Sequence, residues 1–242
     1  MSFLFLHFEK CGGMSLRKEI YHLFKNCLNP NDFFIQNYDK IHTEKNYDID
    51  YVITKKIVEW HLFYDSKLNN FTFKITCIRN PAKRLLSHYH YFDKKKHGYE
   101  SLIEFENKNK KGFDDYVMSL GNLQILKLSG YSTPEVDKEI LNNCLEKAIN
   151  IINNFDYILQ LEIINEDLKK MRKKLKTHSK FEKINKLEFF KENKTSENYM
   201  DFYDDDCLKK YSKYCYYDIF LYNYVCDLKK NNLHIPIFND VY

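Results

Sequence analysis

The chain has 242 residues, with 20 Tyr, 19 Phe and a formal net charge of +4. That length fits a single domain over residues 1–242, the aromatic content supplies apolar area for a core, and 6 Gly with 4 Pro leave little room for linkers. The charge suits a small anionic ligand and falls short of a dedicated nucleic-acid binder, so no nucleic-acid partner is expected.

Phe3–Phe8 is a nearly continuous apolar run of the kind found in buried parallel strands. A glycine turn follows, and Leu16, Ile20, Leu23 and Cys27 then recur at helical spacing until Asn29-Pro30. Strand, glycine loop and helix together open a nucleotide-binding α/β unit. Phe33–Tyr38 reads as a second strand, and Phe71–Ile78 as another. The latter runs into Arg79-Asn80-Pro81, where Asn80 suits a helix N-cap and Pro81 the first helical position. Leu85, Tyr89 and Phe92 mark the buried face of that helix.

Helices are expected over Phe113–Leu128 and Lys138–Asn153, and a late strand over Phe155–Leu161. Ile164, Leu168, Met171 and Leu175 then form an apolar stripe, with Lys169, Lys170, Arg172, Lys173 and Lys174 on the solvated side. Tyr211 to Tyr224 reads as a closing helix. The fold class is α/β with a central parallel sheet flanked by helices.

Cysteines 11, 27, 77, 144, 207, 215 and 226 form no C-x-x-C pair, which points to reduced thiols and to no metal site. The apolar start is too short for a signal peptide, and no run approaches the ~18–20 residues of a membrane span, so a cytoplasmic chain is expected.

The phosphate-binding candidate is the loop Lys10, Cys11, Gly12, Gly13, Met14, Ser15 and Leu16. Glycines after a strand let backbone amides approach a phosphate, and the positive end of the following helix assists them. A Walker A loop carries its Lys after the glycines, as G-K-[ST]; here Lys10 precedes them and no G-K-[ST] occurs, which disfavours a nucleotide kinase or NTPase.

This arrangement resembles the carbohydrate sulfotransferases related to heparan sulfate 2-O-sulfotransferase. Their first strand runs into P-K-x-G-G-T-S, the P-loop-like segment that holds the 5′-phosphosulfate of PAPS (3′-phosphoadenosine 5′-phosphosulfate). Glu9 to Ser15 correspond, with Glu9 for Pro and Met14 for Thr. The family's R-D-P-x-x-R-x-x-S-x-Y is matched from Arg79, with Asn80 for Asp, and implies that Arg79 and Ser87 bind the 3′-phosphate. Phe113–Gly130 looks like the family's N-x-Q-x-x-x-L-x-G segment, and Tyr217–Val225 like its D-x-x-L-Y helix.

The resemblance implies a P-loop NTPase-like fold and an O-sulfotransferase with PAPS as co-substrate, a sugar hydroxyl as acceptor and no metal. Lys10 would stabilise the leaving group and the transferring sulfuryl. In IVEWHLFY, His61 matches the family's catalytic base and Glu59, the reserve base, the place of an upstream His; His7, His88 and His90 are further histidines to weigh. Two rivals stand beside this reading: a P-loop kinase or NTPase, and an inactive module that binds PAPS or its product.

Overall fold

The computed structural model describes residues 2–24, 30–35, 49–60, 63–94, 98–133, 136–177 and 203–235. In chain order these form strand β1 (Phe3–Leu6), helix α1 (Gly13–Phe24), β2 (Phe33–Ile35), β3 (Ile57–Trp60) and β4 (Phe73–Ile78). Helices α2 (Pro81–His88), α3 (Leu102–Lys108), α4 (Lys110–Gly121), α5 (Leu123–Ser129) and α6 (Lys138–Ile152) follow. Then come β5 (Tyr157–Gln160), α7 (Ile164–Thr177), α8 (Asp205–Ser212) and α9 (Tyr216–Lys229), with short turns of helix between some of them. Two compact units result, each built of two chain segments: Met1–Ile78 with Asn154–Asn193, and Arg79–Asn153 with Lys194–Tyr242.

The first unit carries an α/β architecture, a five-stranded sheet in the order β2-β3-β1-β4-β5. Every pairing is parallel, with Leu6 opposite Trp60 on one side and Thr76 on the other. All four residues of β1 and of β3 are buried, as are five of the six in β4, which is why β1 reads as an unbroken apolar run. Phe3 stacks on Phe73 at 5.8 Å between ring centroids and meets Phe24 of α1 at 5.1 Å. From β1 the chain leaves toward β2 and β3, and after β4 it returns on the other side as β5. The order therefore reverses between the neighbours β1 and β4, and open parallel sheets bind ligands at the carboxyl ends flanking such a reversal.

The described part of the second unit is helical. Its core gathers Ala82, Leu85, Leu86, Tyr89, Leu102, Phe105, Phe113, Val117, Tyr203, Tyr211, Cys215 and Ile219. As expected, Asn80 caps α2: its side chain accepts from the Lys83 amide at 3.1 Å, with Pro81 in the first turn. A π-helical turn over Tyr89–Asp93 continues from α2.

Other boundaries differ from expectation for identifiable reasons. The helix expected over Phe113–Leu128 is two helices, broken at Asn122. The Asn122 side chain donates to the Met118 and Tyr214 carbonyls and accepts from the Tyr217 and Asp218 amides, competing with helical hydrogen bonding. The closing segment is likewise split, into α8 and α9 around a tight turn at Lys213–Cys215. Of the expected strand Phe33–Tyr38, β2 realises Phe33–Ile35, and residues 36–38 lie outside the described set. No helix among the described residues is long and apolar enough to cross a membrane.

Candidate functional site

The loop after β1 begins with one further pairing, the His7 amide donating to the Trp60 carbonyl at 2.8 Å. A tight turn follows in which the Cys11 amide donates to the Phe8 carbonyl at 3.2 Å. Lys10 (φ 65°) and Gly12 (φ 77°) both adopt left-handed backbone, flanking Cys11. Such reversals of hand turn successive amides toward one side and form a concavity suited to anions. The Leu16 amide donates to the Gly12 carbonyl at 3.0 Å, so Gly12 caps α1, and the first-turn positions Gly13, Met14 and Ser15 lie where helix amides point outward. Lys10 is half-buried; Cys11, Ser15 and Leu16 are buried.

The two glycines also serve packing. A Cβ on Gly13 would sit 1.5 Å from both Cε1 and Nε2 of His7, and one on Gly12 would sit 2.7 Å from Cδ1 of Leu161. The missing side chains thus make room for an imidazole and a leucine of the same unit.

His7 also pairs through Nδ1 with Oε1 of Glu59 at 3.1 Å, the carboxylate oxygen accepting. Arg17 of α1 donates to the same carboxylate through Nε at 2.5 Å and Nη2 at 3.1 Å. Glu59 is 4% exposed on β3, and this forked pairing ties α1, β1 and β3 together beneath the loop. Both carboxylate oxygens are engaged with Arg17 and His7, an arrangement that favours a positioning role over proton abstraction from an acceptor. His61 lies outside the described residues; before it, Trp60 ends β3 with its indole N–H donating to the Phe63 carbonyl at 2.9 Å. In the second unit, His90 Nε2 pairs with the Tyr203 hydroxyl at 2.8 Å, and His88 is buried beside Phe92.

Arg79 opens the second unit directly after β4, and its main chain is held on both sides by one residue. Its amide donates to Gln124 Oε1 at 3.0 Å, and its carbonyl accepts from Gln124 Nε2 at 3.3 Å. Gln124 in turn lies against Asp218 of α9, which accepts from the Gln124 amide, the Gln124 side chain and the Ile125 amide at 3.0, 3.2 and 2.8 Å. Arg84 is fully buried, with Nε 3.9 Å from Asp218 Oδ2 and Nη2 donating to the Leu120 carbonyl. Burial pushes the Asp218 carboxyl up to about 6, against the opposing pull of Arg84 and the donated amides. Ser87, one turn beyond Arg84 on α2, is buried at 5% exposure.

Lys10 to Leu16 and Glu59 therefore fall in the first unit, Arg79 and Ser87 in the second. Asn122, Gln124 and Asp218 sit in the segments matched by family resemblance, yet reading the residues alone assigned them no task. The signal was present: polar residues at spacings that otherwise bury apolar ones. Comparison of the chain with models of known protein families and with curated proteins gives no match in either case.

Proposed function

We propose that this chain is a PAPS-dependent O-sulfotransferase of P-loop-like fold, acting on a hydroxyl of a carbohydrate. The observation that carries the reading is the pairing of two carboxyl ends. The neighbours β1 and β4 flank the reversal of strand order; β1 exits into a loop with left-handed turns at Lys10 and Gly12, and β4 exits into Arg79-Asn80-Pro81. The first segment suits the 5′-phosphosulfate of such a donor, and the second carries the arginine and serine that the sequence resemblance assigns to its 3′-phosphate.

In the proposed reaction the acceptor oxygen attacks sulfur while the bond from sulfur to the 5′-phosphate oxygen breaks. The hydroxyl proton passes to a base, and 3′-phosphoadenosine 5′-phosphate (PAP) leaves. Lys10 and the first-turn amides of α1 meet the charge that grows on the leaving phosphate. Arg79 and Ser87 hold the 3′-phosphate. His61 is the proposed base; the engagement of Glu59 with Arg17 and His7 favours His61 over it. His61→Ala should lose turnover by ~10²–10⁴-fold with PAP affinity retained.

The test combines ligand-dependent melting with product detection. PAP should raise the melting temperature and ATP should not. Incubation with PAPS and a glycan panel should add a sulfate detectable by mass spectrometry. Protection by ATP alone would support the kinase reading, and PAP protection with no sulfated product from any glycan would support an inactive module.

A further inference from the structure

We propose that Gln124 is a positioning residue for nucleotide selection: it sets the Arg79 backbone so that the guanidinium meets a 3′-phosphate. This rests on the sulfotransferase reading above and adds a residue to it.

The geometry is specific. A single carboxamide accepts from the amide and donates to the carbonyl of the same residue, which is how a neighbouring strand would hold Arg79. Gln124 has only 1% exposure, so its amide group works where water does not compete. Its own orientation is fixed, because Asp218 Oδ2 accepts from Nε2 at 3.2 Å and therefore dictates which end of the carboxamide carries the N–H groups. Asp218 is fixed in turn by the Gln124 and Ile125 amides at the start of α5. The break at Asn122 allows this, since it starts a new helix whose first amides turn toward Asp218.

The chain thus spends a buried carboxylate, a buried carboxamide and a helix start on one residue's main chain. Arg79 is half-buried and stands two residues before α2, where an unsupported backbone would swing freely. Bidentate recognition of phosphate by arginine tolerates little angular error, so a fixed main chain converts directly into discrimination. A purely structural Gln124 would instead affect stability and all nucleotides alike.

Three measurements decide the matter. Hydrogen exchange on the wild-type protein should find the Arg79 amide protected; exchange at the rate of an open loop overturns the inference without any variant. Wild-type affinities for PAP and AMP, which differ only in the 3′-phosphate, should show a clear preference for PAP. Gln124→Met keeps the volume and removes the two hydrogen bonds to Arg79 together with the one to Asp218, and it should cut that preference by about tenfold with AMP affinity unchanged. An unchanged PAP-to-AMP ratio, or equal losses for both ligands, overturns the role of Gln124 and leaves the sulfotransferase reading in place. A wild type that binds PAP no better than AMP overturns that reading itself.

Discussion

Lys10 holds left-handed backbone, a conformation that costs a non-glycine residue about 1 kcal/mol. Strain of this kind persists where the side chain has a task that glycine cannot perform. Lys10→Gly should therefore leave the protein as stable or up to about 1 kcal/mol more stable, while turnover falls. Denaturant titration beside a sulfate-transfer assay checks both halves; equal turnover would reduce Lys10 to a turn residue. The two glycines separate just as clearly. Gly13→Ala drives a methyl into the His7 ring and should cost ~3 kcal/mol or more, with His7→Ala in the same chain restoring part of it. Gly12→Ala meets the flexible end of Leu161, which can give way, and should cost less, about 1 kcal/mol of it from placing alanine in left-handed backbone. The sequence made both glycines legible as special through their place after a strand, whereas the close approach of His7 and Leu161 is one that no local pattern could announce.

Among the elements, α4 and α5 show what periodicity misses. Apolar spacing across Phe113–Leu128 predicts one helix, and the break comes from Asn122 contacts with Tyr214, Tyr217 and Asp218, more than ninety residues away in sequence. Caps and strand interiors were readable because they depend on near neighbours; this junction depends on α9. Its buried carboxylate has a measurable pH signature. The Asp218 carboxyl titrates at about 6 in the folded protein against 3.8 for the ordinary group. The folded state thus holds this proton more tightly, and the stability it contributes is complete below 3.8 and is lost as pH rises through about 6. Asp218→Asn keeps the side chain neutral but turns an NH2 group toward the N–H groups of Gln124 or Ile125, and should destabilise by ~1–3 kcal/mol. Wild type should also gain on this variant as pH falls from about 6 toward 4, read from denaturant midpoints across that range. A gap that narrows on acidification would contradict the raised value.

For the whole molecule, strand β1 and the parallel character were legible from a buried apolar run and β4 from its alternation of bulky and polar residues, whereas the order β2-β3-β1-β4-β5 was not, because nothing local tells β5 which edge to join. The two units interleave along the chain: Met1–Ile78, then Arg79–Asn153, then back to the first unit, then back to the second. Synthesis from the amino terminus therefore cannot finish one unit before starting the other, and the usual piecewise maturation on the ribosome is closed to this protein. A nascent chain halted after Asn153 has β4 without β5, an unpaired strand edge of the kind that recruits other chains. Such chains should be protease-sensitive and prone to aggregate, and extension through Thr177 should protect β4 by supplying β5 and α7. Interleaving also gives each half a stake in the other's completion, so a premature stop anywhere before Asn154 leaves both units short of a segment, and quality control meets a chain in which neither is finished.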